Sequence, residues 1–315
     1  MSPVYAPAAD YAGVFAHFGA EQVPEQSSYP WSPVFPCQVG GRPAVIKRTR
    51  GAPADASAVA AATRAWSAGG IAVVTPIELD VANPVRLGDL HWVAYPFIEG
   101  SVYTGQLQEI DAAGTLLGRM HACDAAPALM PAFRWPDYDQ ERIDEDVDLL
   151  NNVAGPYIYA QVLKRLVKLV PRFTAELLPP IRDGNLPCAN TSMDYKASNL
   201  IYTSAGPVLV DPDNGDHAPR LLDLAQAALL FHTDHEPAPA RPFDSTEWAA
   251  FIRAYQREIQ FTDDERKLWP TAIEYMLAEE GHWAFTGTPE DWERPRQRSF
   301  LLALANVHAD DFPLS

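Results

Sequence analysis

Apolar and polar positions follow a short period in the first hundred residues and a longer one afterwards. Residues 34–39 and 43–47 read as two strands, and Gly40-Gly41 between them supply the positive φ of a tight hairpin turn. The alanine-rich stretch from about Asp55 to Ser67 reads as a helix, with an acidic residue near its start and Gly69-Gly70 beyond its end. Ile71 to Leu79 and His91 to Ile98 read as further strands. From about residue 105 the spacing turns helical: Leu107, Ile110, Leu116, Leu117 and Met120 share one face, interrupted only by Gly114. Val162, Leu163, Leu166, Val167 and Leu169 mark a second amphipathic helix, which Pro171 should kink or end. Asp244 with Glu247, and Thr262 with Glu265, are capping pairs for two later helices, the second of which Pro270 should kink or divide. A β-rich front and a helical back predict an α+β chain of two lobes, 1–99 and 100–315, with a ligand in the cleft between them.

Composition narrows the classes. At 315 residues the chain has room for two lobes with real cores, and 47% hydrophobic with 21% charged residues excludes disorder, collagen and coiled coil. A net charge of −17 repels phosphate backbones, so nucleic acid is not an expected partner. No stretch approaches the ~20 apolar residues of a membrane span, and no basic stretch followed by an apolar run opens the chain. Three scattered cysteines, Cys37, Cys123 and Cys188, form neither a disulfide framework nor a metal motif. A reducing cytoplasm is the expected setting.

The stretch richest in chemistry runs Ser192-Met193-Asp194-Tyr195-Lys196-Ala197-Ser198-Asn199, followed by an apolar strand, a glycine turn and a second strand ending in Asp211-Pro212-Asp213. In phosphoryl transfer a carboxylate takes the proton of the acceptor hydroxyl, while an amide oxygen and a second carboxylate hold Mg²⁺ against the nucleotide. Asp194, Asn199 and Asp211 match those roles in order, with Asp213 a further metal candidate. Upstream, Ala44-Val45-Ile46-Lys47 ends a strand with a lysine placed for the α and β phosphates.

These residues together resemble the aminoglycoside phosphotransferases and related small-molecule kinases, a family with the bilobal protein-kinase-like fold. The resemblance extends from about Glu21 to Phe231. It implies an ATP- and Mg²⁺-dependent transfer to a hydroxyl, with Asp194 as base, Asn199, Asp211 and Asp213 on the metal, and Lys47 on the phosphates. Trp92-Val93-Ala94-Tyr95-Pro96-Phe97-Ile98 looks like the hinge, where the Pro96 carbonyl and the Ile98 N–H would meet adenine. Ser27-Ser28 stands where the phosphate-covering loop should be. Leu221-Leu222-Asp223-Leu224-Ala225 looks like the segment whose aspartate braces the catalytic loop, and Leu117-Gly118-Arg119-Met120-His121-Ala122 resembles a structural helix of the second lobe. Two departures stand out: Ser192 replaces the usual histidine of the motif, and the helix 55–67 has no glutamate for Lys47. Asp55, another acid or nothing at all is then its partner, and a pseudokinase is the contrasting reading. A protein kinase is disfavoured, since no Ala-Pro-Glu element lies between Asp211 and Asp223.

Other charged clusters have plainer readings. Asp211 to Asp216 is no EF-hand, because its sixth and twelfth places are Asp216 and Leu222. His232-Thr233-Asp234-His235-Glu236 lacks a third fixed ligand and reads as a polar loop. Asp144-Glu145-Asp146, and likewise Glu279 and Glu280, are expected on solvated faces, with a patch for a cationic substrate as the sharper alternative. Trp283 and Trp292 are expected to pack. The acidic balance favours a cationic acceptor of the aminoglycoside or aminocyclitol type, with an amino alcohol, homoserine-like amino acid or sugar as the metabolic alternative.

Overall fold

A computed structural model describes residues 5–30, 32–49, 53–123, 128–233 and 235–314. The front is a five-stranded antiparallel sheet ordered β1-β2-β3-β5-β4. Its strands are β1 (Ala20–Glu21), β2 (Val34–Val39), β3 (Arg42–Arg48), β4 (Val85–Leu87) and β5 (Leu90–Pro96). The predicted hairpin is β2–β3, turned by Gly40 and Gly41 at φ 57° and 72°. Alternation along β3 sends Ala44 and Ile46 into a core with Phe15, Phe35 and Trp92. Lys47 leaves on the opposite face.

Helix α1 (Ala12–Phe18) backs this core, and α2 (Pro53–Ala68) follows the hairpin. The stretch 71–79, expected as a strand, is extended but unpaired except where Val73 bridges Leu209 in parallel. Pro76 has no N–H for a ladder, and Ile77 donates a single bond to the Ala94 carbonyl.

The back holds β6 (Ser101–Val102), α3 (Leu107–His121), α4 (Gln140–Leu149), α5 (Ala160–Arg172), α6 (Leu178–Arg182), β7 (Cys188–Asn190), β8 (Leu200–Thr203), β9 (Gly206–Leu209), β10 (His217–Pro219) and α7 (Arg220–Leu230). It closes with α8 (Ser245–Tyr255), α9 (Asp263–Met276), α10 (His282–Thr286) and α11 (Pro295–Ala305). Both predicted capping boxes are formed, Asp244 with Glu247 and Thr262 with Glu265. Pro171 sits in the last turn of α5, which passes into a π-turn at Phe173–Leu177, whereas Pro270 does not divide α9. Nor is His232-to-Glu236 a solvated loop: His232 and His235 are buried against the hydroxyl and carbonyl of Tyr103, and Asp234 lies outside the described residues.

Gly114 does not weaken α3; it lets α8 approach. A Cβ there would sit 2.4 Å from the Phe251 carbonyl oxygen, and one at Gly118 2.8 Å from that of Tyr255. Alanine at Gly114 would gain about 1 kcal/mol of helix propensity but must push two packed helices apart, at about 1–3 kcal/mol. Gly114→Ala is therefore expected to lower stability in a urea melt. A midpoint at or above wild type would show that the helices are not held at that distance.

Candidate active site

The elements that carry the predicted motifs converge on the mouth of the β8–β9 hairpin. Leu200 pairs with Leu209, so Asn199 and Asp211 flank the open end, and the Asn199 carbonyl accepts from Val210 N–H at 2.9 Å. Asp194 precedes this hairpin on a loop whose backbone is forced: Met193, a non-glycine residue, sits at φ 47°. Asp223 holds that loop by accepting from the N–H of Ser192 at 2.8 Å and of Met193 at 2.9 Å. The His121 ring lies 2.9 Å from the same carboxylate, and its other nitrogen is 2.9 Å from the Tyr255 hydroxyl. Ser192 thus contributes backbone, its own hydroxyl is buried without a partner, and a histidine from α3 occupies the bracing carboxylate.

The Asn199 side-chain N–H groups donate to the Asp194 carbonyl and carboxylate, each at 2.9 Å, and Asn214 donates to that carboxylate at 3.3 Å. Lys196, two residues on, places its ammonium 3.0 Å from the other Asp194 oxygen. Burial raises the Asp194 carboxyl above its ordinary range, with Asp211 adding to the effect and Lys196 opposing it. Sequence reading missed Lys196. Its signal is the short Asp-x-Lys spacing in an extended loop, which puts both side chains on one side of the chain.

Lys47, 7% exposed, crosses from the sheet to lie 2.6 Å from Asp211 and 3.0 Å from Asp213. Burial works against its charge, yet Asp213 and Asp211 together raise its pKa above the ordinary lysine value. Asp211 is likewise opposed by burial, but the Lys47 ammonium prevails and holds it low. Asp213 ends above the usual range, since burial and the Asp211 charge outweigh Lys47. Asp55 is not the missing partner: it pairs with Arg134 at 3.0 Å.

The donor set suits a hard divalent cation. The Asp211 side chain is 35% exposed at the cleft, and Asn199, having engaged its N–H groups on Asp194, keeps its amide oxygen as an acceptor. Among the described residues no group of three or more His, Cys, Asp and Glu forms a metal cluster. Asp213 differs, because both its oxygens face protein groups: Lys47 and the Tyr95 hydroxyl, the latter at 2.8 Å.

At the hinge, Phe97 N–H is engaged by the Pro43 carbonyl at 3.1 Å, whereas no described residue accepts from the Ile98 N–H. Ile98, Val208 and Val210 pack against Val74, Val93 and Tyr95. Pro96 ends β5 opposite Ala44. Ser27 and Ser28 correct the expectation of phosphate contacts. Ser27 is 4% exposed, its N–H goes to the Ala6 carbonyl, and its hydroxyl accepts from Tyr29 and Val34 N–H and donates to the Tyr29 carbonyl. The Ser28 N–H and hydroxyl both donate to the Val34 carbonyl. These donors close the loop on itself.

A π-turn at Leu277–Gly281 between α9 and α10 carries Glu279 and Glu280, of which Glu280 lies near enough to Asp194 to feel its charge. Neither is fully solvated as expected: burial, together with Glu280, pushes Glu279 up to about 7, and burial, together with Asp194, pushes Glu280 up to about 7. Tyr275 lies beside Glu279 and Gln226 beside Glu280, both buried. Of the run 144–146, Asp146 is buried against Arg142 at 3.1 Å, while Asp144 and Glu145 are exposed. Trp292 packs as expected, but Trp283 is 64% exposed.

An antiparallel front sheet with an inward lysine, a hinge strand, a braced aspartate loop and a helical back define a protein-kinase-like phosphotransferase fold. The model of the phosphotransferase enzyme family, APH, matches residues 31–269, and the chain belongs to that family. It is therefore a phosphotransferase. Among solved structures it is similar to a microcompartment-associated aminopropanol kinase, with 13% identity, 95% of this chain and 94% of the other covered, and a TM-score of 0.67. It is also similar to a spectinomycin phosphotransferase bound to ADP and spectinomycin, with 14% identity, coverage of 99% and 100%, and a TM-score of 0.59. A choline kinase from Cryptosporidium parvum Iowa II shares 13% identity over 92% of this chain and 87% of its own, with a TM-score of 0.51. No curated protein matches the chain significantly. No helix among the described residues is long and apolar enough to cross a membrane.

Proposed function

We propose that the protein transfers the γ-phosphoryl group of ATP, with Mg²⁺, to a hydroxyl of a small cationic acceptor, the aminoglycoside or aminocyclitol type first and an amino alcohol second. The observation that carries the reading is the convergence of Lys47, Asp211, Asn199 and Asp194 in one cluster, with Glu280 within reach of the Asp194 charge. In this reading 1–99 holds the nucleotide and 100–315 supplies the base and the acceptor site. Asp194 takes the hydroxyl proton while Lys196 and Asn199 hold the carboxylate in place. Lys47 neutralises the nucleotide phosphates, and Asn199 and Asp211 would hold the metal, which supplies charge neutralisation at the transferred group. Spectinomycin and aminopropanol, the acceptors named for two of the similar structures, point to an amine beside the hydroxyl. ADP release against a panel of aminoglycosides, aminocyclitols, amino alcohols and sugars tests this; phosphorylation confined to acceptors without an amine would refute the cationic part.

The acidic pair makes the reading pH-sensitive. Glu280 binds an ammonium only when ionised, so KM for an amine acceptor is expected to rise as pH falls through about 7. Stability runs the other way. A carboxyl raised in the fold above its unfolded value favours the native state at low pH, and that advantage fades as pH climbs toward 7. Glu280→Gln should raise KM roughly tenfold or more at pH 8 and flatten its pH dependence. An unchanged KM profile would remove Glu280 from the acceptor site.

A further inference from the structure

We infer that Asp213, oriented by the Tyr95 hydroxyl, is the positioning residue that holds Lys47 for the nucleotide, in place of an acidic side chain on α2. The inference rests on the Mg²⁺-ATP-dependent transfer proposed above. A buried ammonium needs a lasting counter-charge. Helix α2 offers none: its acid, Asp55, is turned outward to Arg134, and the hydroxyl of its buried Thr63 donates to the Ala60 carbonyl of the same helix. Two carboxylates reach Lys47, and they are not equivalent. The Asp211 side chain is 35% exposed and opens on the cleft, whereas that of Asp213 is 9% exposed, with Oδ1 taking the Tyr95 hydroxyl at 2.8 Å and Oδ2 facing Lys47 at 3.0 Å.

The sheet itself builds this arrangement. In the β3–β5 register Lys47 lies opposite Val93 and Val45 opposite Tyr95, so lysine and tyrosine project from the same face of neighbouring strands, two positions apart. Asp213 completes the triad from beyond β9. Were Asp211 to hold a divalent cation, Lys47 would keep Asp213 as its counter-charge, with no carboxylate drawn from α2. Asp213 is thereby taken off the metal, where the sequence had placed it.

The test is calorimetric binding of ATP at saturating Mg²⁺ without acceptor, plus a Mg²⁺ titration, for wild type, Tyr95→Phe, Asp213→Asn, Asp211→Asn, Lys47→Met and the Lys47→Met/Tyr95→Phe double variant. Tyr95→Phe is expected to weaken ATP binding about tenfold, the effect of one hydrogen bond to a charged group, with the Mg²⁺ midpoint unchanged. Asp213→Asn should weaken it further at the same midpoint, and Asp211→Asn should shift the midpoint. With Lys47 already replaced, Tyr95→Phe should have no further effect, which a merely structural tyrosine would not show. Tyr95→Phe within twofold of wild type, a midpoint shift in Asp213→Asn equal to that of Asp211→Asn, or an undiminished Tyr95→Phe effect in the Lys47→Met background would each overturn the proposal. If Asp213→Asn does not fold, the Tyr95 and Lys47 variants decide alone. Wild-type protein that binds no Mg²⁺-ATP would overturn the ATP- and Mg²⁺-dependent transfer proposed above instead, so the two failures are distinct.

Discussion

Asp194→Ala is expected to lower kcat by about 10²–10⁴ while Mg²⁺-ATP binding stays within a few-fold of wild type. The split follows from where the side chain sits. Its oxygens are held by Asn199, Asn214 and Lys196, with Glu280 near enough to feel its charge, while the groups proposed for the nucleotide, Lys47 and the Ile98 N–H, come from the sheet and the end of β5. Removing the carboxylate leaves those groups in place. It also relieves Glu280 of a like charge, so acceptor binding should hold or tighten even as turnover fails. Turnover of a labelled γ-phosphoryl group, measured beside equilibrium ATP binding, checks both halves. Loss of binding equal to loss of turnover would mean that Asp194 supports the nucleotide site and is not the base.

Much of this site could be read from the chain because its chemistry is local in sequence. Asp194, Lys196 and Asn199 span six residues, and a strand, a glycine turn and a second strand carry the chain to Asp211 with little freedom of path. The β2–β3 hairpin and both capping boxes were legible for the same reason: each is decided by residues no more than a few positions apart. What escaped depends on long-range contact. Ser27 looked like a phosphate donor because it stands where the phosphate-covering loop should be, and only the fold shows its hydroxyl taken by Val34 seven residues away. Gly114 looked like a flaw because its reason lies on α8, 137 residues downstream. Lys47 lacked a partner on the helix where one was sought; its partners come from beyond β9, and the tyrosine that orients one of them from the strand next door. The stretch 71–79 has the composition of a strand but finds a single bridge, since pairing is a property of the neighbour as well as of the segment.

Asp223→Ala should be the most damaging substitution for stability, at about 3–5 kcal/mol in a chain whose total stability is of the order of 5–15 kcal/mol. Asp223 is 0% exposed and serves three donors at once: the N–H groups of Ser192 and Met193 and the ring of His121. A neutral His121 that donates from Nε2 to Asp223 and accepts the Tyr255 hydroxyl at Nδ1 satisfies every member of this chain. Removing the carboxylate leaves three buried donors without an acceptor, each costing about 1–3 kcal/mol, though not additively. The same bonds hold Met193 at its left-handed φ of 47°, a conformation costing about 1–2 kcal/mol that relaxes once they are gone. Asp194, the next residue, then loses its aim, so turnover should fall even in the fraction that stays folded, at an ATP affinity close to wild type. Asp223→Asn, which keeps one carbonyl oxygen for the loop, should recover part of both losses. A thermal melt and single-turnover kinetics below the transition separate the two effects. A melting free energy for Asp223→Ala within about 1 kcal/mol of wild type, less than a single orphaned donor is worth, would show that water or a neighbouring acceptor takes over the bracing.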